Sequence, residues 1–234
     1  MSPDLVYPLS PGPLDYSELK YSLRSVEKNV PAEQVWFLGG KPPWLRTANH
    51  IKTKQPYDKM RNARIQMWTA VLSDEISDPF WYFNDDFYVT APVDELPLWH
   101  GGNWEQWLAA LGPRYASSAY LRDAKLTISL LRKELWPNFS PLCWSLHTPL
   151  VVWKGDMKTA LTIDDSCGQR LHLRSLYANL AGLEGVQAPC HDVKQTAAIP
   201  EGQIYASSAN ATWPTSQLGK QVRSMFPEKS RWER

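Results

Sequence analysis

Cysteine is scarce in this chain of 234 residues: Cys143, Cys167 and Cys190 are the only three, widely spaced and odd in number. That argues against a disulfide framework and for a reducing cytoplasm as the expected setting. No Cys-x-x-Cys pair occurs, and the five histidines are scattered, so a zinc site has no ligand spacing to stand on. No uncharged run approaches the length of a membrane span. The start, Met-Ser-Pro-Asp, lacks the basic segment followed by an apolar one that marks an export signal. Charge of one sign is missing too. Twenty-five basic residues face 24 acidic ones for a net +1, which argues against a protein that coats nucleic acid but leaves a local basic groove open. A phosphate loop is absent as well, because Gly39-Gly40 runs into Lys41-Pro42 and not into Gly-Lys-Ser/Thr.

Aromatic residues are plentiful, and their densest stretch is Phe80-Trp-Tyr-Phe-Asn-Asp-Asp-Phe-Tyr-Val89. The first four residues, introduced by Asp78-Pro79, read as a buried strand. Adjacent carboxylates, Asp85 and Asp86, follow where that strand leaves the core. Two like charges at such a place resist desolvation, and a hard divalent cation with positions open for phosphate oxygens would relieve them. Asn and Asp also form solvated turns, so the local sequence supports a plain turn equally well.

The surrounding elements alternate. Asp4 to Leu9 reads as a strand stopped by proline, Ser17 to Asn29 as a helix with Leu19, Leu23 and Val26 on one face, and Gln34 to Leu38 as a second strand ended by Gly39-Gly40. Asp58 to Leu72 reads as a second helix before the aromatic strand. This order predicts an α/β fold with a mostly parallel sheet flanked by helices, organised as a main domain over residues 1–196 and a C-terminal extension over 197–234. Ligands of open α/β sheets gather at the carboxyl ends of strands. Tyr7, Pro8 and Leu9 are therefore candidates for nucleotide contact, as is Gly39, where a bare backbone can approach a ligand. Lys59 and Asn62 fall at the start of the second helix, whose positive end suits a diphosphate.

Beyond the acidic pair the chain turns irregular. Trp99 and His100, beside Gly101-Gly102, suit sugar or acceptor contact if the tryptophan is exposed; the alternative is a core tryptophan and a surface histidine. Helices are expected over Asn103 to Leu111, Ala119 to Leu135, Met157 to Leu161 and Arg170 to Leu180, and strands at Leu150 to Trp153 and Gln203 to Tyr205. His147 enters one of these strands and titrates near neutral pH, so it could position or deprotonate an acceptor. Arg174 offers a planar fork for a leaving phosphate, with Tyr177 on the same helical face and Asn179 near the helix end. Lys194 could neutralise a diphosphate.

Tyr82-Phe-Asn-Asp-Asp-Phe87, preceded by Asp15-Tyr-Ser-Glu-Leu-Lys-Tyr-Ser-Leu-Arg-Ser-Val-Glu-Lys-Asn-Val-Pro31 and Gly39-Gly-Lys-Pro-Pro-Trp-Leu45, resembles the Stealth family of sugar-phosphate transferases. The compact glycosyltransferase A-type proteins of actinobacterial phages are similar. Leu146-His-Thr-Pro149 and Arg174-Ser-Leu-Tyr-Ala-Asn179 resemble the later motifs of those compact relatives, and the likeness runs from about residue 4 to 194. It implies a glycosyltransferase A-like, Rossmann-like fold and Mn²⁺ or Mg²⁺ held by Asp86 with Asp192. Asp85, His147 and Arg174 would be catalytic, Arg24 would meet a pyrophosphate, and the donor would be a nucleotide-diphosphate sugar. The chain is short beside the capsule enzymes, which favours glycosyl transfer over sugar-1-phosphate transfer. A non-catalytic carbohydrate- or nucleotide-binding protein is the reading from another class. The acceptor is open between protein, glycan and modified DNA, and a phage-encoded protein would act in the host cytoplasm.

Overall fold

Strand β1 (Asp4–Leu9) is enclosed along its whole length except at Pro8. Its proline is tolerated because the β4 ladder reaches only from Asp4 to Val6, which leaves Pro8 a single paired neighbour. The structure, a computed structural model, describes residues 3–10, 15–46, 49–111, 118–189, 193–209 and 211–234. Around β1 lie β2 (Val35–Gly39), β3 (Asn49–Ile51), β4 (Phe80–Tyr82) and β7 (Leu150–Val152), in the order β3-β2-β1-β4-β7. The first four are parallel and β7 runs antiparallel to β4. The fold is α/β with a mostly parallel sheet and helices against it, as expected from the alternation of elements.

Helix α1 (Ser17–Asn29) buries Leu19, Leu23 and Val26. Its N-cap is Tyr16, in the left-handed region at φ 40° and without a capping side-chain bond, so the helix begins at Ser17 itself. A second, polar stripe on α1 is as important as the apolar one. Ser22 donates to the Phe87 carbonyl at 2.6 Å, Ser25 accepts from the Val89 N–H at 3.1 Å, and Asn29 donates to the Val89 carbonyl at 2.7 Å. These three residues thereby satisfy the open edge of β5 (Phe87–Val89), which otherwise would be buried without partners. The other edge of β5 pairs antiparallel with β9 (Tyr205–Ser207).

Helix α2 (Lys59–Leu72) starts after Asp58, whose side chain accepts from the N–H groups of Met60 and Arg61. From its middle, buried Gln66 donates to the carbonyls of Leu9 and Leu38, both at 2.7 Å, and ties together the carboxyl ends of β1 and β2. Gly39 answers to the same crowding. At φ 91° a Cβ there would stand 2.1 Å from Gln55 Nε2 and 2.4 Å from Gln66 Nε2.

The chain divides into two compact units. One comprises Met1–Leu96, His147–Lys154 and Val193–Arg234, the other Pro97–Leu146 and Gly155–Asp192. The expected boundary at 196 and 197 therefore falls inside the first unit. There, α7 (Gln217–Met225) contributes Leu218 and Val222 to a cluster with Tyr88, Ala206, Trp213 and Phe226. Buried Glu233 takes the Arg24 guanidinium in two bonds of 2.8 Å, which fastens the end of the chain to α1.

The second unit holds β6 (Trp99–His100) paired in parallel with β8 (Val186–Gln187), and helices α3 (Trp104–Ala110), α4 (Ala119–Glu134) and α6 (Leu173–Leu180). Helix α5 (Lys154–Cys167) is much longer than the expected Met157 to Leu161, since Gly155 near its start conceals the pattern. Strands β3, β6 and β8 were not expected. They are two or three residues long and too short to show a period. No helix among the described residues is long and apolar enough to cross a membrane.

Candidate functional site

The sheet reverses direction at β1. From β1 the chain builds outward through β2 and β3, then returns to place β4 on the opposite side, so the crevice beyond the carboxyl ends of β1 and β4 is the switch point where such folds bind ligands. Phe83 N–H still reaches the Val6 carbonyl at 2.9 Å, and the next three residues, Asn84, Asp85 and Asp86, leave the sheet at that crevice. Immediately afterwards β5 begins. The acidic pair is thus a short link between β4, where Phe80 is buried and Trp81 and Tyr82 are half-buried, and the buried β5; buried Phe83 holds one end and Phe87, Tyr88 and Val89 the other.

Asp86 is 4% exposed. Its Oδ2 accepts from Lys194 Nζ at 3.0 Å and from Ser207 Oγ at 3.1 Å. Both partners come from the β9 region: Ser207 pairs with Phe87, and Lys194 forms a parallel bridge with Ser207. Asp85 is relieved only in part. Burial raises its proton affinity, the adjacent Asp86 raises it further, and the charges of Lys59 and Lys194 oppose both effects. Glu18, in the first turn of α1, is the third carboxylate here. Burial pushes it up, a hydrogen bond from Ser208 Oγ opposes this, and the charges of Asp85 and Asp86 add to the rise. Ser208 in turn accepts from Tyr88 OH at 2.9 Å, since its own proton goes to Glu18.

Glu18, Asp85 and Asp86 thus leave an excess of negative charge that Lys194 and Lys59 do not cancel. Among the described residues, no three His, Cys, Asp or Glu side chains are arranged to hold a metal ion by themselves. Mg²⁺ and similar hard cations need only one or two carboxylates when substrate phosphates and water complete the shell. The Asp85–Asp86 pair fits that requirement in oxygen chemistry and in charge. Asp192, the expected second metal ligand, lies outside the described residues.

The other expected nucleotide contacts are placed as follows. Tyr7 is fully buried between Phe37 and Phe83, donating its hydroxyl proton to Ser22 at 3.0 Å; burial, with the Asp85 charge adding to it, pushes its pKa far up. Pro8 is half-buried, and the Leu9 carbonyl already accepts from Gly40 N, Gln55 Nε2 and Gln66 Nε2. The bare backbone at Gly39 makes room for Gln55 and Gln66 of this same chain. Asn62 is buried and clamps the preceding loop, accepting from Tyr57 N and donating to the Tyr57 carbonyl at 2.6 Å. Arg24 is turned to Glu233 and to the carbonyls of Phe226 and Pro227. Lys59 is exposed, with its charge felt at Asp85. His147 is half-buried with its ring edge-on to Phe87 at 6.4 Å, in the same unit as the acidic pair.

The remaining expected residues belong to the second unit. Trp99 is buried at 7%, which is the core alternative and not the exposed sugar platform. His100, alternatively a surface residue, is buried too. Its Nδ1 accepts from Gly102 N, its ring lies against Trp144, and burial lowers its pKa. Tyr177 is fully buried. Asn179 uses its amide on the Leu142 N–H, the Leu142 carbonyl and the Ser175 carbonyl, so it braces the loop before Cys143. Arg174 donates to the Trp144 carbonyl at 3.2 Å.

Ser207 and Ser208 were missed altogether, because two serines between small residues carry no signal until β9 is paired with β5. Glu18, which the resemblance makes a plausible site-shaping residue, is half-buried in the first turn of α1.

No family model matches the chain, and no curated protein does. Among solved structures, the galactosyltransferase LgtC in complex with donor and acceptor sugar analogues is similar over 97% of this chain and 96% of its own, at 11% identity and a TM-score of 0.49. A likeness of that degree carries no argument about the site.

Proposed function

We propose that the protein is a metal-dependent glycosyltransferase of glycosyltransferase A type, which moves a sugar from a nucleotide-diphosphate donor to an acceptor hydroxyl. The observation that supports this reading is the under-neutralised pair Asp85–Asp86 at the carboxyl end of β4, at the switch point of a parallel sheet. Mn²⁺ or Mg²⁺, held by Asp85 and Asp86 together with donor phosphate oxygens, would withdraw charge from the diphosphate as the anomeric carbon–oxygen bond breaks.

The chain's own residues have distinct tasks in this proposal. Lys59 and Lys194 supply positive charge beside the leaving diphosphate, Lys194 exchanging part of its contact with Asp86 for phosphate. Ser207 and Ser208 hold Asp86 and Glu18 in place by donating to carboxylate oxygens. His147, on the chain segment beside Phe87, takes the proton from the acceptor hydroxyl. Residues of the second unit enter no step.

The test is a screen of UDP-, GDP- and dTDP-sugars with Mn²⁺, following nucleotide release and identifying products by mass, with Asp86→Asn alongside. Release of a nucleoside diphosphate that needs both metal and Asp86 supports the proposal and names the donor. A nucleoside monophosphate with sugar phosphate would move the assignment to sugar-1-phosphate transfer, and no turnover or metal-dependent thermal shift with any donor would sink both.

A further inference from the structure

The near-zero net charge hides a strong polarity. Residues 41–64 carry seven basic side chains and one acidic, a net +6 within 24 residues, while the other 210 residues carry 18 basic against 23 acidic. The lone acid, Asp58, is already engaged: it caps α2 through the N–H groups of Met60 and Arg61 and lies 3.9 Å from the Arg61 guanidinium. Six of the seven cations, Lys41, Arg46, Lys52, Lys54, Lys59 and Arg61, are exposed.

Topology gathers most of them on one side. Lys41 follows the carboxyl end of β2, Lys52 and Lys54 follow the carboxyl end of β3, and Lys59 and Arg61 occupy the first turn of α2. The β3 strand is the outer strand of its sheet, so this edge faces outward. An exposed aromatic stands among the charges. Tyr57 is 56% exposed, the Arg61 guanidinium carbon lies 5.8 Å from its ring centroid, and Asn62 pins its backbone from both sides.

Fixed cations along an edge, with a rigid exposed ring among them, are what a flexible polyanion of phosphates and flat bases requires: the cations neutralise the phosphates and the ring stacks a base. We propose that the edge carrying Lys41, Lys52, Lys54, Tyr57, Lys59 and Arg61 binds a single strand of nucleic acid. The excess of acidic residues elsewhere repels such a strand and confines it to this edge. The inference needs no sugar donor or metal, so it stands or falls separately from the transferase reading.

The experiment is fluorescence anisotropy of labelled oligo(dT) with the full chain, in EDTA and without any nucleotide sugar. Affinity should fall linearly with salt on logarithmic axes. The triple variant Lys41→Glu, Lys52→Glu, Lys54→Glu should bind at least about tenfold more weakly and with a shallower salt slope. The same charge change at exposed Lys125, Lys133 and Lys220 should leave binding unchanged. Tyr57→Ala should weaken binding by about tenfold at an unaltered salt slope, the worth of one stacked base. Circular dichroism spectra matching the parent would establish that each variant is folded. No binding at low salt, equal losses in the two triple variants, or polyglutamate or anionic vesicles binding as tightly as oligo(dT) would each overturn the proposal.

Discussion

Asp123 in the second unit and Asp86 in the first are both nearly inaccessible, at 2% and 4% exposure, yet their surroundings are opposite. Asp123 is held by two guanidinium groups, Arg170 on one oxygen and Arg122 on the other, and Thr127 turns its hydroxyl to the Asp123 carbonyl. Its charge is more than matched. Asp86 has one ammonium group and a serine hydroxyl, and beside it stand Asp85 and Glu18, two carboxylates whose proton affinity is raised by burial and by the charge of Asp86. A buried acid with surplus positive partners serves the fold. A buried acid with surplus negative neighbours raises their proton affinity, and a bound proton or a cation relieves the repulsion.

That contrast can be broken in several ways. The largest effect belongs to turnover: Asp85→Asn or Asp86→Asn should lower donor consumption by about 10²- to 10⁴-fold, the several kcal/mol a bound cation contributes, while Asp123→Asn leaves turnover per folded molecule near parental. Steady-state nucleotide release, normalised to folded protein, reads this directly. Next in size is stability in the second unit. Removing both Arg122 and Arg170 as alanines strands a carboxylate that is 3% exposed and should cost about 3 kcal/mol or more in a denaturant titration.

A third carboxylate, Glu233, extends the comparison to acid. Burial pushes it up, but the Arg24 fork and the Ser230 N–H outweigh burial, and its pKa is held below the ordinary carboxylate range. A depressed carboxylate contributes stability above its unfolded pKa and loses that contribution as pH falls through the folded value. Melting temperature should therefore drop below the ordinary carboxylate range, and Glu233→Gln should start lower at neutral pH and show a flatter acid limb. An unchanged acid limb would remove Glu233 from the group.

The smallest effect has the most telling sign. In the absence of metal, Asp85→Asn should raise stability by about 1 kcal/mol, since it removes a half-buried like charge, whereas Asp123→Asn should lower it. A destabilised Asp85→Asn variant would mean that the acidic pair serves the fold and not a ligand.

The parts of the site that were legible in advance are those where local chemistry is self-contained. Two adjacent carboxylates after four aromatics announce themselves, because no neighbour is needed to know that burying both is costly. The mostly parallel sheet around them followed from alternation, and α1, α2 and the body of α4 from their periodicity. Other residues have a type that suits two jobs. Asn62 and Asn179 have the chemistry of ligand contacts, yet their amides are committed to backbone groups of Tyr57, Leu142 and Ser175. Trp99 offers a sugar platform only if exposed, and the short β6 strand buries it. Arg24, equally suited to phosphate, finds Glu233 209 residues away.

Taken by itself, the sequence determined the class of fold, the place of the acidic pair at a strand end, and the cluster of cations between Lys41 and Arg64. These are properties of composition and short-range period, which a chain carries before it folds. Tertiary structure alone decided that Lys194 and Ser207 meet Asp86, that Glu18 becomes its neighbour, and that Arg24 closes on the chain's end. Each of those is a contact between residues over a hundred positions apart or on elements whose pairing is non-local, or depends on which face a strand turns inward. A one-residue change of register would exchange those faces, so only the assembled sheet fixes which charges meet.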